Sequence, residues 1–97
     1  MKNIVYFDLE TQKSAEEVGG WDRIRDMRMS VGVTFSTARG TYHIYGESQV
    51  NALVEELRRA DCVVGFNILR FDYEVLTGHN PFFDPTQVPT LDMLAEL

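Results

Sequence analysis

Cysteine is almost absent. Cys62 stands alone among 97 residues, so no internal disulfide can form. Long apolar runs are missing as well: nothing approaches the roughly 18 to 20 residues of a membrane-spanning helix. Met1-Lys2-Asn3-Ile4-Val5 lacks the apolar stretch of a signal peptide. These absences predict a cytosolic protein with no membrane partner. Proline is scarce and clustered, with Pro81, Pro85 and Pro89 all in one short region that reads as a connecting loop. Positive charge is in deficit, with 9 Lys+Arg against 15 Asp+Glu and a net charge of −6. A domain that grips a phosphate backbone tightly is usually basic. The acidic balance argues against strong, autonomous nucleic-acid binding. It fits a site whose carboxylates need cations, or a basic surface elsewhere in a longer protein. What is present is enough for a core: 44% hydrophobic and 25% charged residues suit one small globular domain over residues 1–97 and exclude wholesale disorder.

Lys2 to Glu10 alternates as a strand. Ile4, Tyr6, Asp8 and Glu10 share one face, and Val5, Phe7 and Leu9 the other. Both faces are apolar until the acids arrive, which predicts a central strand buried on both sides with carboxylates at its C-terminal end. Thr11 to Asp26, polar and carrying Gly19-Gly20, reads as a long loop. Met27 to Ser36 and Thr41 to Tyr45 read as strands joined by a Thr37-Ala38-Arg39-Gly40 turn. Ser48 is placed to cap a helix that turns Val50, Leu53, Val54 and Leu57 inward and Glu55, Glu56, Arg58 and Arg59 to water. Cys62 to Phe66 is a short strand. A second helix begins near Leu69 or Arg70, buries Phe71, Val75 and Leu76, and ends at Gly78. His79 to Thr90 is loop, with room for a brief strand near Val88, and Leu91 to Leu97 opens a third helix. The βββαβα order predicts a mixed α/β sheet.

Asp8 and Glu10 carry the sharpest chemical signal. Two residues apart on a strand, they point the same way with Cβ atoms about 7 Å apart. Two carboxylates at 4 Å repel by roughly 4 kcal/mol at an effective dielectric near 20. A shared divalent cation offsets this, because magnesium and manganese prefer carboxylate oxygens. The alternative is two solvated acids at a strand end. Gly65-Phe66-Asn67-Ile68-Leu69-Arg70-Phe71-Asp72 sets an Asn and an Asp across a strand-to-helix junction. Asp72 falls in the first helical turn, where the dipole favours an anion; alternatively Asn67 caps the helix and Asp72 only complements that dipole. Trp21 either anchors its loop to the core or stacks on a base. Arg23, Arg25 and Arg28 form a local basic cluster for phosphates, or a solvated surface. Cys62 reads as a small buried apolar residue, His79 as solvated and His43 as structural.

Asp8-Leu9-Glu10-Thr11 resembles the first motif, D-x-E-T, of the DEDD-type 3′–5′ exonuclease superfamily. Asn67-Ile68-Leu69-Arg70-Phe71-Asp72 resembles its second, N-x-x-x-F-D, and Thr90-Leu91-Asp92-Met93-Leu94 its T-L-D-x-L stretch. Phe7 to Gln12, Glu17 to Trp21 and Val64 to Asn67 are similar to a bacterial group of uncharacterised ribonuclease H-like domains, found alone or joined to helicase-type proteins. The resemblance implies a ribonuclease H-like fold, truncated before its last elements, and metal-dependent hydrolysis of nucleic-acid phosphodiesters, DNA or RNA. It implies that Asp8 and Glu10 hold one Mg2+ or Mn2+ ion, that Asp8 touches a second ion bound by Asp72, and that Thr11 and Asn67 lie near substrate. It also implies a helicase domain as partner. The chain departs from the pattern in one respect. A fourth acid and a Tyr or His base, Y-x-x-x-D or H-x-x-x-x-D on a late helix, are not there, and Asp92 belongs to the earlier T-L-D segment. The chain alone is therefore expected to be a weak or inactive nuclease. The alternative is a non-catalytic nucleic-acid- or protein-binding module that keeps the fold. An exposed sheet edge would allow self-association with a second copy.

Overall fold

Five strands form one mixed sheet in the computed structural model, which describes residues 2–96. They are β1 (Ile4–Thr11), β2 (Met29–Ser36), β3 (Thr41–Gly46), β4 (Cys62–Gly65) and β5 (Thr90–Asp92), in the spatial order β3-β2-β1-β4-β5. β1 runs antiparallel to β2 and parallel to β4, and β5 runs parallel to β4. Three α-helices accompany them: α1 (Ala15–Val18), α2 (Val50–Arg59) and α3 (Tyr73–His79).

The period-2 pattern of β1 holds, and the strand is central. Val5, Phe7 and Leu9 enter a core with Leu53, Val54 and Leu57 of α2 and Val75 and Leu76 of α3. The expectation of burial on both faces is corrected. α2 and α3 both pack on the Val5 face, and Tyr6 on the opposite face is 48% exposed. That open face continues sideways as Phe35 and Tyr42, in register with Tyr6 across β2 and β3, their rings 4.8 Å apart at the centroids. Ile44, Phe66 and Leu91 extend it. A shallow groove of about 660 Å³ runs over this face, with Asp8 in its wall.

Several local expectations change. The polar Thr11–Asp26 stretch is largely helical. Ser14 and Glu17 form a reciprocal capping box, with Oγ of Ser14 accepting from the Glu17 N–H at 3.2 Å and Oε1 of Glu17 accepting from the Ser14 N–H at 2.9 Å. α1 closes at Gly19, whose φ of 98° suits glycine, and a 3-10 stretch, Trp21–Met27, leads into β2. The second strand therefore starts at Met29 rather than Met27. Ser48 caps nothing; it lies within a 3-10 turn, Glu47–Gln49, and α2 begins at Val50. Glu56 faces inward, not to water. It lies beside Leu57 at the edge of the apolar stripe, where Thr34 Oγ1 and the Tyr45 hydroxyl each donate to its Oε1 at 2.7 Å. Burial and that bond push the Tyr45 hydroxyl up to about 12.

Gly78 lies inside α3, which runs to His79 with Asn80 as its C-terminal cap. Its glycine is required because a Cβ there would collide with the Arg25 carbonyl of the 3-10 stretch. The His79 side chain is only 5% exposed, and its Nε2 accepts the Met29 N–H at 2.9 Å. Burial and the neighbouring Arg28 charge hold this imidazole below its ordinary range, with Glu47 opposing. His43 is half-buried beside the Tyr45 hydroxyl, and Cys62 is half-buried. The loop after α3 is pinned by buried Phe83 and Val88. The expected third helix at Leu91 to Leu97 is instead β5 and a turn, because Thr90, Leu91 and Asp92 pair with Val63, Val64 and Gly65; Leu97 lies outside the described residues.

Candidate functional site

β4 pairs with β1 only as far as Tyr6 opposite Val64. Beyond that point the chain turns away, and two residues make the turn possible. A Cβ on Gly65 would lie 2.8 Å from the Phe7 carbonyl oxygen, so only glycine lets the backbones pass so closely. Asn67 then adopts a left-handed conformation, φ 57° and ψ 31°, which asparagine tolerates better than most residues. Its side chain makes no cap hydrogen bond. A π-helical turn, Ile68–Asp72, follows and seats Ile68 in the core; such turns recur at functional sites.

The turn exposes the edge of β1 that β4 has left. Asp72 fills the gap. Its Oδ2 accepts the Leu9 N–H at 3.2 Å across 63 residues of sequence, and the residue is only 3% exposed. The carboxylate thus takes the place of a missing strand partner, directly between Asp8 and Glu10 in the sequence. Burial pushes its carboxyl up to about 7, and the Asp8 charge adds to the rise. Asp8 and Glu10 themselves are exposed, on the open face of the sheet.

The structure therefore brings Asp72 under Asp8 and leaves Glu10 beyond them at the strand end. Among the described residues, no group of three or more His, Cys, Asp or Glu side chains converges tightly enough to hold a metal ion. Thr11 turns its hydroxyl back to the Lys13 carbonyl at 2.9 Å. Asn67 borders a cleft of about 240 Å³ with Leu69, Arg70 and Asp92.

Asp92 has a role that the sequence reading missed. Its carboxylate accepts the N–H groups of Asn67 at 2.8 Å, Leu69 at 3.0 Å and Leu94 at 3.0 Å. Although burial opposes it, these donors hold its carboxyl below the usual range. Asp92 therefore fastens the turn that presents Asp72. The available signal was an acid directly after an apolar strand residue, Leu91-Asp92, as in Phe7-Asp8.

The basic cluster is already engaged. Arg25 pairs with Glu74 at 2.9 Å, Arg28 with Glu47 at 3.0 Å and Arg23 with Asp26 at 3.9 Å. Trp21 does not anchor its loop in the core: it is 68% exposed and meets Phe71 edge-on, ring centroids 6.3 Å apart.

No protein-family model and no curated protein matches the chain. Among solved structures, the family B DNA polymerase from the hyperthermophilic archaeon Pyrobaculum calidifontis superposes on 97% of it with a TM-score of 0.68, at 15% identity. The chain has a ribonuclease H-like α/β fold. It spans 16% of that polymerase chain, and at such identity the likeness concerns the fold alone. No helix among the described residues is long and apolar enough to cross a membrane.

Proposed function

We propose that this chain carries part of the active site of a metal-dependent nucleic-acid phosphodiesterase of the DEDD 3′–5′ exonuclease kind. The observation that carries the reading is Asp72, drawn from far along the chain onto the edge of β1 beside Asp8, with its carboxyl pushed up to about 7. Burial, and then the charge of a second acid nearby, both disfavour the ionised form of such a carboxyl. A divalent cation supplies a counter-charge, so the donor set fits Mg2+ or Mn2+ between Asp8 and Asp72, with Glu10 completing the site from the strand end. Bound there, such an ion would polarise a phosphodiester and acidify a water. The chain's own contribution is positional: Asp92 and Gly65 hold the turn that sets Asp72, and the β1 pleat aims Asp8 and Glu10 the same way. Thr11 and Asn67 flank the substrate side.

The test is a manganese titration read by amide NMR. Broadening centred on Leu9 and Asp72, with Asp8 and Glu10, and lost in Asp8→Asn, is the expected result. Broadening spread over the surface acids and unchanged in that variant rules the site out. A second reading, a binding module without catalysis, draws support from the lack of a ready three-acid cluster among the described residues. It gains if manganese fails to bind while oligonucleotide binding persists.

A further inference from the structure

Trp21 is the only tryptophan in the chain, and leaving most of an indole in water forgoes a large hydrophobic gain. Its position is nevertheless well fixed. The segment that bears it leaves the end of β1 and returns to the start of β2, and it is closed at its base by the Gln12 N–H to Arg28 carbonyl bond at 2.7 Å and the Lys13 N–H to Met27 carbonyl bond at 3.1 Å. α1 is capped on both sides, and Gly19 and Gly20, with φ of 98° and 123°, turn the chain so that the next side chain points outward. Arg25 and Gly78 lock the following 3-10 stretch against α3. The indole therefore stands on a segment tied at both ends to the sheet, between the end of β1, which carries Asp8 and Glu10, and the start of β2. Its aromatic neighbour among the described residues, Phe71, is bonded in sequence to Asp72.

The charges around it set what this ring is for. The arginines of the same segment are paired with acids, and the chain as a whole carries −6. Phosphate attraction offers little grip here. A base, by contrast, presents a π-face on which an aromatic side chain can stack whatever the base. We infer that Trp21, backed edge-on by Phe71, is a stacking platform for an unpaired nucleobase of a single-stranded end presented to the acidic pair. It is a positioning residue that contributes affinity through stacking. The inference rests on the phosphodiesterase reading for the kind of ligand, although stacking itself needs no metal.

The intrinsic fluorescence of the chain reports tryptophan at this position alone. In EDTA, which prevents hydrolysis, a five-residue oligothymidylate is expected to quench it. A chain of five abasic sugar phosphates, equal in charge, should not. By fluorescence anisotropy of a labelled oligothymidylate, Trp21→Ala is expected to bind roughly 5- to 150-fold more weakly, the range for one stacked base of about 1–3 kcal/mol, and Trp21→Phe to retain most of the affinity. The affinity should depend only weakly on salt. Equal quenching by the abasic chain, equal affinity of Trp21→Ala, or no quenching at any oligonucleotide concentration would each overturn the platform. The phosphodiesterase reading stands or falls separately, on manganese broadening at Asp8 and Asp72. A metal-binding chain whose indole ignores thymidylate thus loses the platform alone.

Discussion

At the scale of single residues, Asp72 is the group whose chemistry is most altered by the fold. Its carboxyl moves from the usual range near 3.8 up to about 7, chiefly through burial, then through the Asp8 charge. The sign of the consequence follows from proton linkage. The folded chain binds this proton more tightly than the unfolded chain does. The group's contribution is thus fully present below about 3.8 and is lost as pH rises through about 7. In EDTA, the thermal midpoint should fall across that window, and Asp72→Asn should flatten the profile. At pH 8 the variant should be more stable by about 1 kcal/mol or more, a rise in Tm of roughly 4–8 °C. Magnesium or manganese should restore the parent at pH 8 and leave the variant unmoved. A parent whose midpoint is flat from pH 4 to 8, measured by calorimetry, would contradict this account of Asp72.

At the scale of elements, the helix ends carry the clearest test. Alanine is the better helix former by about 1 kcal/mol, so helix propensity alone favours Gly78→Ala. The Arg25 carbonyl occupies the space of the new methyl, and the substitution should instead destabilise by about 1–3 kcal/mol, read as a fall in the urea midpoint at unchanged slope. This element also shows where sequence pattern is legible and where it is not. The strands β1 to β4 and the inward stripe of α2 could be read from period, because alternation and the 3.6-residue repeat are local. Of the motif acids, Asp72 lies on the β1 edge next to Asp8, its carboxylate accepting the Leu9 N–H, while no three acids converge among the described residues. Gly78 looked like a helix terminus because a glycine near the end of an apolar pattern usually is one; the contact that demands it comes from a segment about fifty residues earlier. The alternative that Asn67 caps the helix with its side chain does not hold, because that side chain makes no cap hydrogen bond; what the structure asks of Asn67 is a left-handed backbone angle. His79 looked solvated among Gly, Asn and Pro, yet a backbone donor on β2 claims its ring. Ser14 and Glu17 did carry a readable signal, the reciprocal cap of α1, inside a stretch whose polarity suggested loop.

At the scale of the whole molecule, the helices lie on one side of the sheet and leave Tyr6, Phe35, Tyr42 and Ile44 on the other, Ile44 being 71% exposed. Alternation along β1 could not announce this, since an apolar strand face reads the same whether or not something covers it. Replacing Tyr42 and Ile44 together by Lys should cost no more than about 1.5 kcal/mol, chiefly the lost Phe35–Tyr42 ring pair, whereas Leu57→Ala on the packed side should cost about 2–5 kcal/mol. Chemical denaturation compares the two directly. A large loss in the double-lysine variant would mean that the face is covered in solution. The fastening of the Asn67 turn by Asp92 has a different kind of consequence, one of timing. β1 and its acids are made first, but the turn that sets Asp72 is secured only when β5 has paired beside β4. A chain emerging from the ribosome would therefore have the central strand and α2 long before it could gather the acids. Completion of the Asp8–Asp72 pair would coincide with arrival of the last described strand, so a half-made chain would hold its acids apart.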